Sequence, residues 1–135
     1  MDIFKNILNL NNLIPPRIVK ENLLKLFPGA RSLEWSNCKS YFEVIFYEKD
    51  TEKIARFSRK GDLIEYRINL KPETLVKSLP KQILNSAQIE GEIMNCITVH
   101  STDKLYYEFI VRDSDLVRYL LLLDAEGKKL SLEKL

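Results

Sequence analysis

Cysteine, glycine and histidine are scarce in this sequence, whose 135 residues include two cysteines, four glycines and one histidine. Cys38 and Cys96 are too few for a disulfide scaffold and lack the clustered partners that a zinc site needs. We therefore expect two free thiols. The alternative, a bridge between them, would require an oxidising compartment.

The single histidine, His100, excludes a metal site with two histidines and any catalytic triad not built on that residue. It ends a predicted strand before the polar segment Ser101-Thr102-Asp103, so we expect an exposed turn residue and not a catalytic base. Each glycine stands alone at a predicted turn or helix end, and none forms a phosphate-binding loop. The sequence predicts no catalytic residue, no cofactor and no metal.

The sequence also has no large excess of charge of one sign, because 21 basic and 19 acidic residues leave a net charge of +2. Such a balance gives no strong field for gathering polyanions, so we expect no nucleic-acid partner. The longest purely leucine run, Leu120 to Leu123, is far below the roughly 18 apolar residues of a membrane span. We expect no membrane insertion.

The first residues carry neither a basic region nor a small-residue cleavage site, so we expect a cytoplasmic protein as the sequence is written. Ile3, Phe4, Ile7 and Leu10 fall at helical spacing. They predict a short amphipathic helix that packs on its own domain.

The sequence matches itself at an offset of about 65 residues, which is typical of a duplicated unit. Ile14–Ile18 aligns with Leu79–Ile83, Tyr41–Phe46 with Tyr106–Val111, and the turn at Gly61 with the turn at Gly127. We therefore predict a single domain, 1–135, with an N-terminal extension at 1–13, a first repeat at 14–71 and a second at 78–135.

Each repeat begins with a proline followed by apolar residues at helical spacing, which predicts a helix. These apolar residues are Ile18, Leu23, Leu24 and Phe27 in the first repeat and Ile83, Leu84, Ala87 and Ile89 in the second. Pro28-Gly29 is expected to end the first helix. Gly91 is expected to end the second in a left-handed conformation.

After each helix, short β-branched and aromatic segments alternate with polar turns, which predicts about four antiparallel strands per repeat. The fold class is therefore α+β: two tandem helix-plus-four-strand repeats that form one antiparallel sheet, with the helices on one face.

Alternation along the strands predicts which side chains lie under the helices. These are Phe42, Val44, Phe46, Ala55 and Phe57, with Ile64, Tyr66, Ile68 and Leu70, and Tyr107, Phe109 and Val111 in the second repeat. The side chains between them point to the open face. The segment Val117 to Leu123 is apolar on both faces, which indicates a central strand or an interface.

Several motifs resemble those of the PepSY-like, or BLIP-like, family of small α+β proteins, which have the fold of the β-lactamase inhibitory protein. The resemblance covers nearly the whole chain from about Ile14 and rests on Pro16, Phe27-Pro28-Gly29-Ala30, Leu33-Glu34-Trp35, Tyr41–Phe46, Ala55-Arg56-Phe57, Gly61-Asp62, Leu79-Pro80 and Asp124–Leu130. It implies a sheet whose exposed face docks another protein, and a location in the cell envelope of Bacteroidetes. It supplies no catalytic residue.

The leading hypothesis is a non-catalytic binding module that recognises a protein or peptide through the open sheet face, since tyrosine and arginine are enriched at interfaces. The candidate face residues are Tyr41, Glu43, Tyr47, Arg56, Glu65, Arg67, Tyr106, Glu108 and Arg112.

Two alternatives remain open. One is a structural protein that self-associates as a homodimer, through Val117 to Leu123 or the open face. The other is a small-ligand-binding domain or enzyme in which Glu43 and Glu108 act as a carboxylate pair. Against the second, these glutamates are expected to pair with Arg56, Arg67 or Arg112 across strands.

Overall fold

The computed structural model describes residues 15–135. The helix predicted around Ile3 to Leu10, and Ile14 of the internal match, lie outside the described residues.

The described chain contains two α-helices, one short 3₁₀ helix and eight β-strands. The helices are α1 (Arg17–Leu26) and α2 (Leu79–Ala87), with the 3₁₀ helix at Pro72–Thr74. The strands are β1 (Ala30–Asn37), β2 (Tyr41–Glu48), β3 (Thr51–Ser58), β4 (Leu63–Leu70), β5 (Gly91–Ser101), β6 (Leu105–Asp113), β7 (Arg118–Asp124) and β8 (Lys129–Lys134).

The strands follow one another in chain order in a single sheet. The α+β fold class with an antiparallel sheet is confirmed, whereas the tandem duplication stays a prediction. The chain divides into two compact units, Met1–Tyr66 and Arg67–Leu135. This division falls within β4, upstream of the predicted end of the first repeat at residue 71.

In the first unit, α1 packs on one face of its strands. Val19 and Leu23 of α1 and Phe27 after it join a buried cluster with Phe42, Val44, Phe46, Ala55 and Phe57. The predicted inward positions on β2 and β3 are therefore confirmed. Burying one such phenylalanine contributes about 1.5–3 kcal/mol.

The predicted apolar face of α1 is wrong at two positions. Ile18 and Leu24 are each about half exposed, while Val19 and Leu23 are fully buried. A spacing of four residues places Val19, Leu23 and Phe27 on one stripe, and Ile18 and Leu24 flank it. The helix ends before Pro28 because a residue preceding proline disfavours helical backbone angles.

In the second unit, α2 packs on β5, β6 and β7. Ile83 and Ala87 of α2 are buried with Cys96, Phe109, Val111, Leu121 and Leu123. Leu84, Ile89 and Tyr107 pack against this cluster as predicted, and so does Leu70. Strand β7 is paired on both sides, with β6 and with β8, so it is an interior strand.

Strand β4 departs from the predicted row of apolar residues at one position. Ile64 is exposed, whereas Leu63 packs against the core of the first unit together with Tyr66. The expectation that Ile64 lies inward is therefore wrong. Because strict alternation would place Leu63 and Tyr66 on opposite faces, it does not hold at the start of this strand.

The predicted role of Gly91 is wrong. The left-handed residue after α2 is Gln88, at φ 57°, and its N–H donates to the helix carbonyls of Asn85 and Leu84. Gly91 begins β5, where a Cβ would meet the carbonyl oxygen of Arg112 at 1.9 Å. The glycine is needed for this close backbone approach and not for a helix end.

The β6–β7 and β7–β8 turns of the second unit share one construction. Asp113 accepts hydrogen bonds from the N–H groups of Asp115 and Val117, each at 2.9 Å. Asp124 accepts them from the N–H groups of Glu126 and Lys128, at 3.0 and 2.8 Å. An aspartate that satisfies turn N–H groups in this way fixes the turn locally.

Both cysteines are free thiols, as predicted: Cys38 is half-buried and Cys96 is buried. Burial raises the pKa of the Cys96 thiol to about 11. The thiol is therefore neutral at physiological pH.

Candidate functional site

Four candidate residues of the first unit lie on the face of β2 and β3 opposite α1, and the fifth, Glu65, lies on β4. Their neighbours Phe42, Val44 and Phe57 are buried under the helix. Since successive side chains of a strand point to opposite faces, Tyr41, Glu43 and Arg56 lie on the other side. We call Tyr41, Glu43, Arg56 and Glu65 the Arg56 cluster.

Arg56 is the centre of this cluster. It lies directly opposite Glu43 in the β2–β3 pairing. Its Nε donates to Glu43 Oε2 at 2.8 Å, and its Nη1 lies 3.2 Å from Glu65 Oε1. The side chains are 35% exposed for Arg56, 23% for Glu43 and 14% for Glu65, so the guanidinium is fixed between two half-buried carboxylates.

Tyr41 completes the cluster, with the Arg56 guanidinium carbon 5.0 Å from the centre of its ring. A hydrogen bond with Cys38 raises the pKa of the Tyr41 hydroxyl above its ordinary value, although the Arg56 charge opposes this. Burial alone would lower the pKa of Arg56, but the hydrogen bond and charge of Glu43 raise it. The cluster therefore presents a protonated tyrosine on a charged, immobilised arginine.

Tyr47 lies on β2, two residues after Ile45. Its hydroxyl donates to Glu52 Oε2 at 3.2 Å, and the Arg31 guanidinium carbon lies 5.7 Å from its ring centre. The hydrogen bond and charge of Glu52 raise the pKa of Tyr47. Tyr47 is thus a second ordered aromatic side chain in this unit.

The candidate residues of the second unit form two separate ion pairs. Arg67 Nη1 lies 3.1 Å from Glu108 Oε2. Arg112 pairs with Glu92, the residue directly opposite it on β5. Tyr106, at the start of β6, is half-buried.

The predicted cross-strand pairing of the glutamates is confirmed, since Glu43 binds Arg56 and Glu108 binds Arg67. Each carboxylate is neutralised by a guanidinium within its own unit. A general acid needs the opposite, a carboxyl whose surroundings favour the protonated form. Among residues 15–135, no three His, Cys, Asp or Glu side chains group as metal ligands.

His100 lies inside β5, one residue before its end, and is half-buried. Its Nε2 is 3.2 Å from Thr98 Oγ1 on the same strand face. The expectation of an exposed turn residue is therefore wrong. The strand continues for one residue more than the polar segment at Ser101 indicated.

Glu92, the ion-pair partner of Arg112, was not among the predicted site residues. Counting back from the turn at Ser101 to Lys104 places Ile93, and not Glu92, opposite Arg112, so the hairpin register alone gives no signal for this pair. A bulge between Ile93 and Asn95 shifts this register by one residue, which periodicity alone does not reveal.

The helices of the described part, ten and nine residues long, are too short to cross a bilayer. No family model matches the sequence, and no curated protein matches it.

Solved structures, in contrast, match most of the chain. A protein from Bacteroides eggerthii, provisionally described as periplasmic, has a TM-score of 0.78 at 17% identity, over 90% of this chain and 89% of that one. A DUF2874 family protein from Bacteroides uniformis has a TM-score of 0.77 at 16% identity, over 90% of each chain.

A BLIP-like protein from Bacteroides fragilis has a TM-score of 0.77 at 15% identity, over 91% of this chain and 88% of that one. Sequence identities this low establish a shared fold and nothing finer. The chain therefore has the BLIP-like fold, as the sequence motifs indicated.

Proposed function

We propose that the chain is a non-catalytic binding module that recognises a protein or peptide through the helix-free faces of its strands. The Arg56 cluster is the observation that carries this proposal. It combines tyrosine and arginine, the residue types that dominate binding energy at interfaces, on a face that α1 does not cover.

Order within the cluster supports this function. Binding a partner costs about 0.5–1.5 kcal/mol for each flexible side chain that becomes immobilised. Arg56 is already held by Glu43 and Glu65, and its guanidinium already lies over Tyr41. A partner that stacks on Tyr41 therefore binds side chains that are already ordered in the folded protein, so their immobilisation adds little to the free-energy cost of binding.

Charge on these faces favours a polar partner of mixed charge. Each of the three candidate arginines is accompanied by a carboxylate: Arg56 by Glu43, Arg67 by Glu108 and Arg112 by Glu92. A polyanion would meet repulsion at each of these carboxylates. A peptide carrying both signs of charge can exchange hydrogen bonds with both members of a pair.

The cell envelope is the compartment included in this proposal. It is supported by the description of the Bacteroides eggerthii neighbour as periplasmic. That compartment would expose the faces to periplasmic proteins and peptides.

An affinity capture from a Bacteroides envelope extract tests the proposal. The bait proteins are the wild type, the double variant Tyr41→Ala/Arg56→Gln and the control Arg17→Gln. Arg17 is a matched control because it is also an ion-paired arginine, but it lies on α1 with a side chain 90% exposed. We expect a protein that the wild type and Arg17→Gln retain equally and that the double variant loses.

The measurement is the abundance of each captured protein by mass spectrometry, from baits with equal thermal unfolding temperatures. Equal capture by the double variant and the wild type would contradict a role for the Arg56 cluster. A second double variant, Arg67→Gln/Arg112→Gln, tests the second unit independently.

Self-association is a second candidate, favoured by strand β7. Leu121 and Leu123 are buried, and Leu120 and Leu122 on the opposite strand face are half-buried. A strand apolar on both faces is typical of burial on both sides. Light scattering over a wide concentration range would show a rise in mass if this face forms a dimer, and a constant monomer mass would exclude it.

A further inference from the structure

A pocket of about 310 Å³ lies within the second unit, between α2, the sheet and the turn that joins β7 to β8. We call it the α2 pocket. Leu75 and Leu79 line one side, Cys96 and Phe109 line the sheet side, and Ala125 and Glu126 of the turn also line it.

The side chains of the second core explain why a pocket exists here. The first unit fills its core with Phe27, Phe42, Phe46 and Phe57. The corresponding cluster of the second unit has one phenylalanine, Phe109, beside the smaller Cys96 and Ala87. Smaller side chains under a helix leave volume that the helix and the preceding segment do not fill.

The interior of the α2 pocket is apolar and chemically inert. Tyr107 and Phe109 contribute two roughly parallel rings, 27° apart with centres separated by 6.4 Å. The Cys96 thiol in the lining is buried and stays protonated, because burial raises its pKa to about 11. The pocket therefore favours non-covalent contact with hydrocarbon or aromatic groups.

Glu126 is the one charged residue among those that line the pocket, and it lies on the exposed β7–β8 turn. A carboxylate at this position repels an anionic group and attracts a cationic one. A ligand with a cationic amine therefore fits this lining better than a fatty acid does.

We propose that the α2 pocket binds one small apolar molecule that carries a positively charged amine. The apolar body lies between Leu79 and the Tyr107 and Phe109 rings, and the amine lies beside Glu126. A dry cavity of about 150 Å³ holds benzene, so a pocket of 310 Å³ has room for a body of two fused rings. This site is separate from the Arg56 cluster, which belongs to the first unit.

Three probes with one apolar body test the charge preference: naphthylmethylamine, naphthylmethanol and naphthylacetate. Binding to the full chain is measured by calorimetric titration. We expect the amine to bind about twofold to fivefold more tightly than the alcohol, as for an exposed ion pair, and the acetate to bind least. In Glu126→Gln the three affinities should converge.

Leu79→Trp and Leu105→Trp test the location. Leu79 lines the pocket and Leu105 does not, and both are exposed to nearly the same extent, 38% and 37%. In Leu79→Trp the added indole should abolish saturable binding of all three probes. In Leu105→Trp the binding should be unchanged. Ala125→Trp fills the pocket from the β7–β8 turn and serves as the location test if Leu79→Trp fails to fold.

The proposal is overturned if the wild type binds none of the probes saturably, or if the acetate binds as tightly as the amine. It is also overturned if a folded pocket variant, Leu79→Trp or Ala125→Trp, binds like Leu105→Trp. None of these outcomes bears on the Arg56 cluster, so this inference and the proposed function fail independently.

Discussion

Glu43 and Arg56 lie directly opposite each other on β2 and β3 and are joined by a hydrogen bond of 2.8 Å between Arg56 Nε and Glu43 Oε2. Glu65 approaches the same guanidinium from β4, at 3.2 Å. Three strands of the first unit thus meet at one arginine. The pair is more protected from solvent than an ordinary surface ion pair.

A double-mutant cycle measures the strength of this pair. With Glu43→Gln and Arg56→Gln, we expect a coupling free energy of about 0.5–1 kcal/mol in urea unfolding, at the upper end for pairs that remain partly solvated. Arg17 and Glu21, a hydrogen-bonded pair on the surface of α1, form the control cycle and should couple by about 0.3–0.5 kcal/mol. Equal coupling in both cycles would contradict a special role for the Arg56 cluster.

Gly91→Ala should be strongly destabilising, because the new Cβ would meet the Arg112 carbonyl oxygen at 1.9 Å and the backbones of β5 and β6 must separate. We expect a loss of about 1–3 kcal/mol in the free energy of unfolding. Gly29→Ala is the matched control, since its nearest neighbour is the flexible Glu48 side chain at 3.3 Å. A loss at Gly91 no larger than at Gly29 would show that the strands adjust without cost.

Acid should remove the stabilisation that Glu48 provides. The hydrogen bond from Lys53, 2.7 Å long, lowers the pKa of the Glu48 carboxyl in the folded chain. A lowered pKa stabilises the fold above the unfolded value of about 4.3. This contribution disappears as the pH falls through the lowered folded value.

Glu48→Gln should therefore be less stable than the wild type near about pH 7, and the difference should shrink toward about pH 3. Urea unfolding at a series of pH values measures it. Lys53→Gln removes the same hydrogen bond and should show the same convergence. A difference that stays constant with pH would mean that Glu48 acts through packing.

Thiol reagents should modify one cysteine of the native chain and two of the unfolded chain. Cys38 is half-buried, whereas Cys96 is buried with a pKa raised to about 11. Because the thiolate is the reactive form, Cys96 should not react at about pH 8 while the chain is folded. A chromogenic disulfide reagent counts the thiols, and Cys38→Ser should reduce the native count to zero.

Strand alternation was sufficient to predict the inward residues of β2, β3 and β6, because each strand has one face under a helix and one face without it. Phe42, Val44 and Phe46 alternate with Tyr41, Glu43 and Ile45 without interruption. The ion pairs of Glu43 and Glu108 followed from the same alternation. The hydrophobic pattern of a strand predicts its inward side chains well where burial of one face imposes strict alternation.

Some errors occur where the backbone departs from a regular period. A left-handed residue after α2 was expected at the glycine, but Gln88 adopts it and Gly91 serves a close strand approach. The α2 pocket was not predictable, because it depends on how the segment containing Leu75 packs over Cys96 and Phe109. Volume left empty by packing has no signature in periodicity.

The aspartate turns at Asp113 and Asp124 bear on how the second unit folds. Each turn satisfies its own N–H groups with a side chain at its first position, so it can form before any distant contact exists. Strands β6, β7 and β8 pair only with neighbours in the sequence over these turns, and hairpins of this kind form in about 1–10 μs. Assembly of these three strands therefore depends on closing short loops and not on contacts that are distant in the sequence.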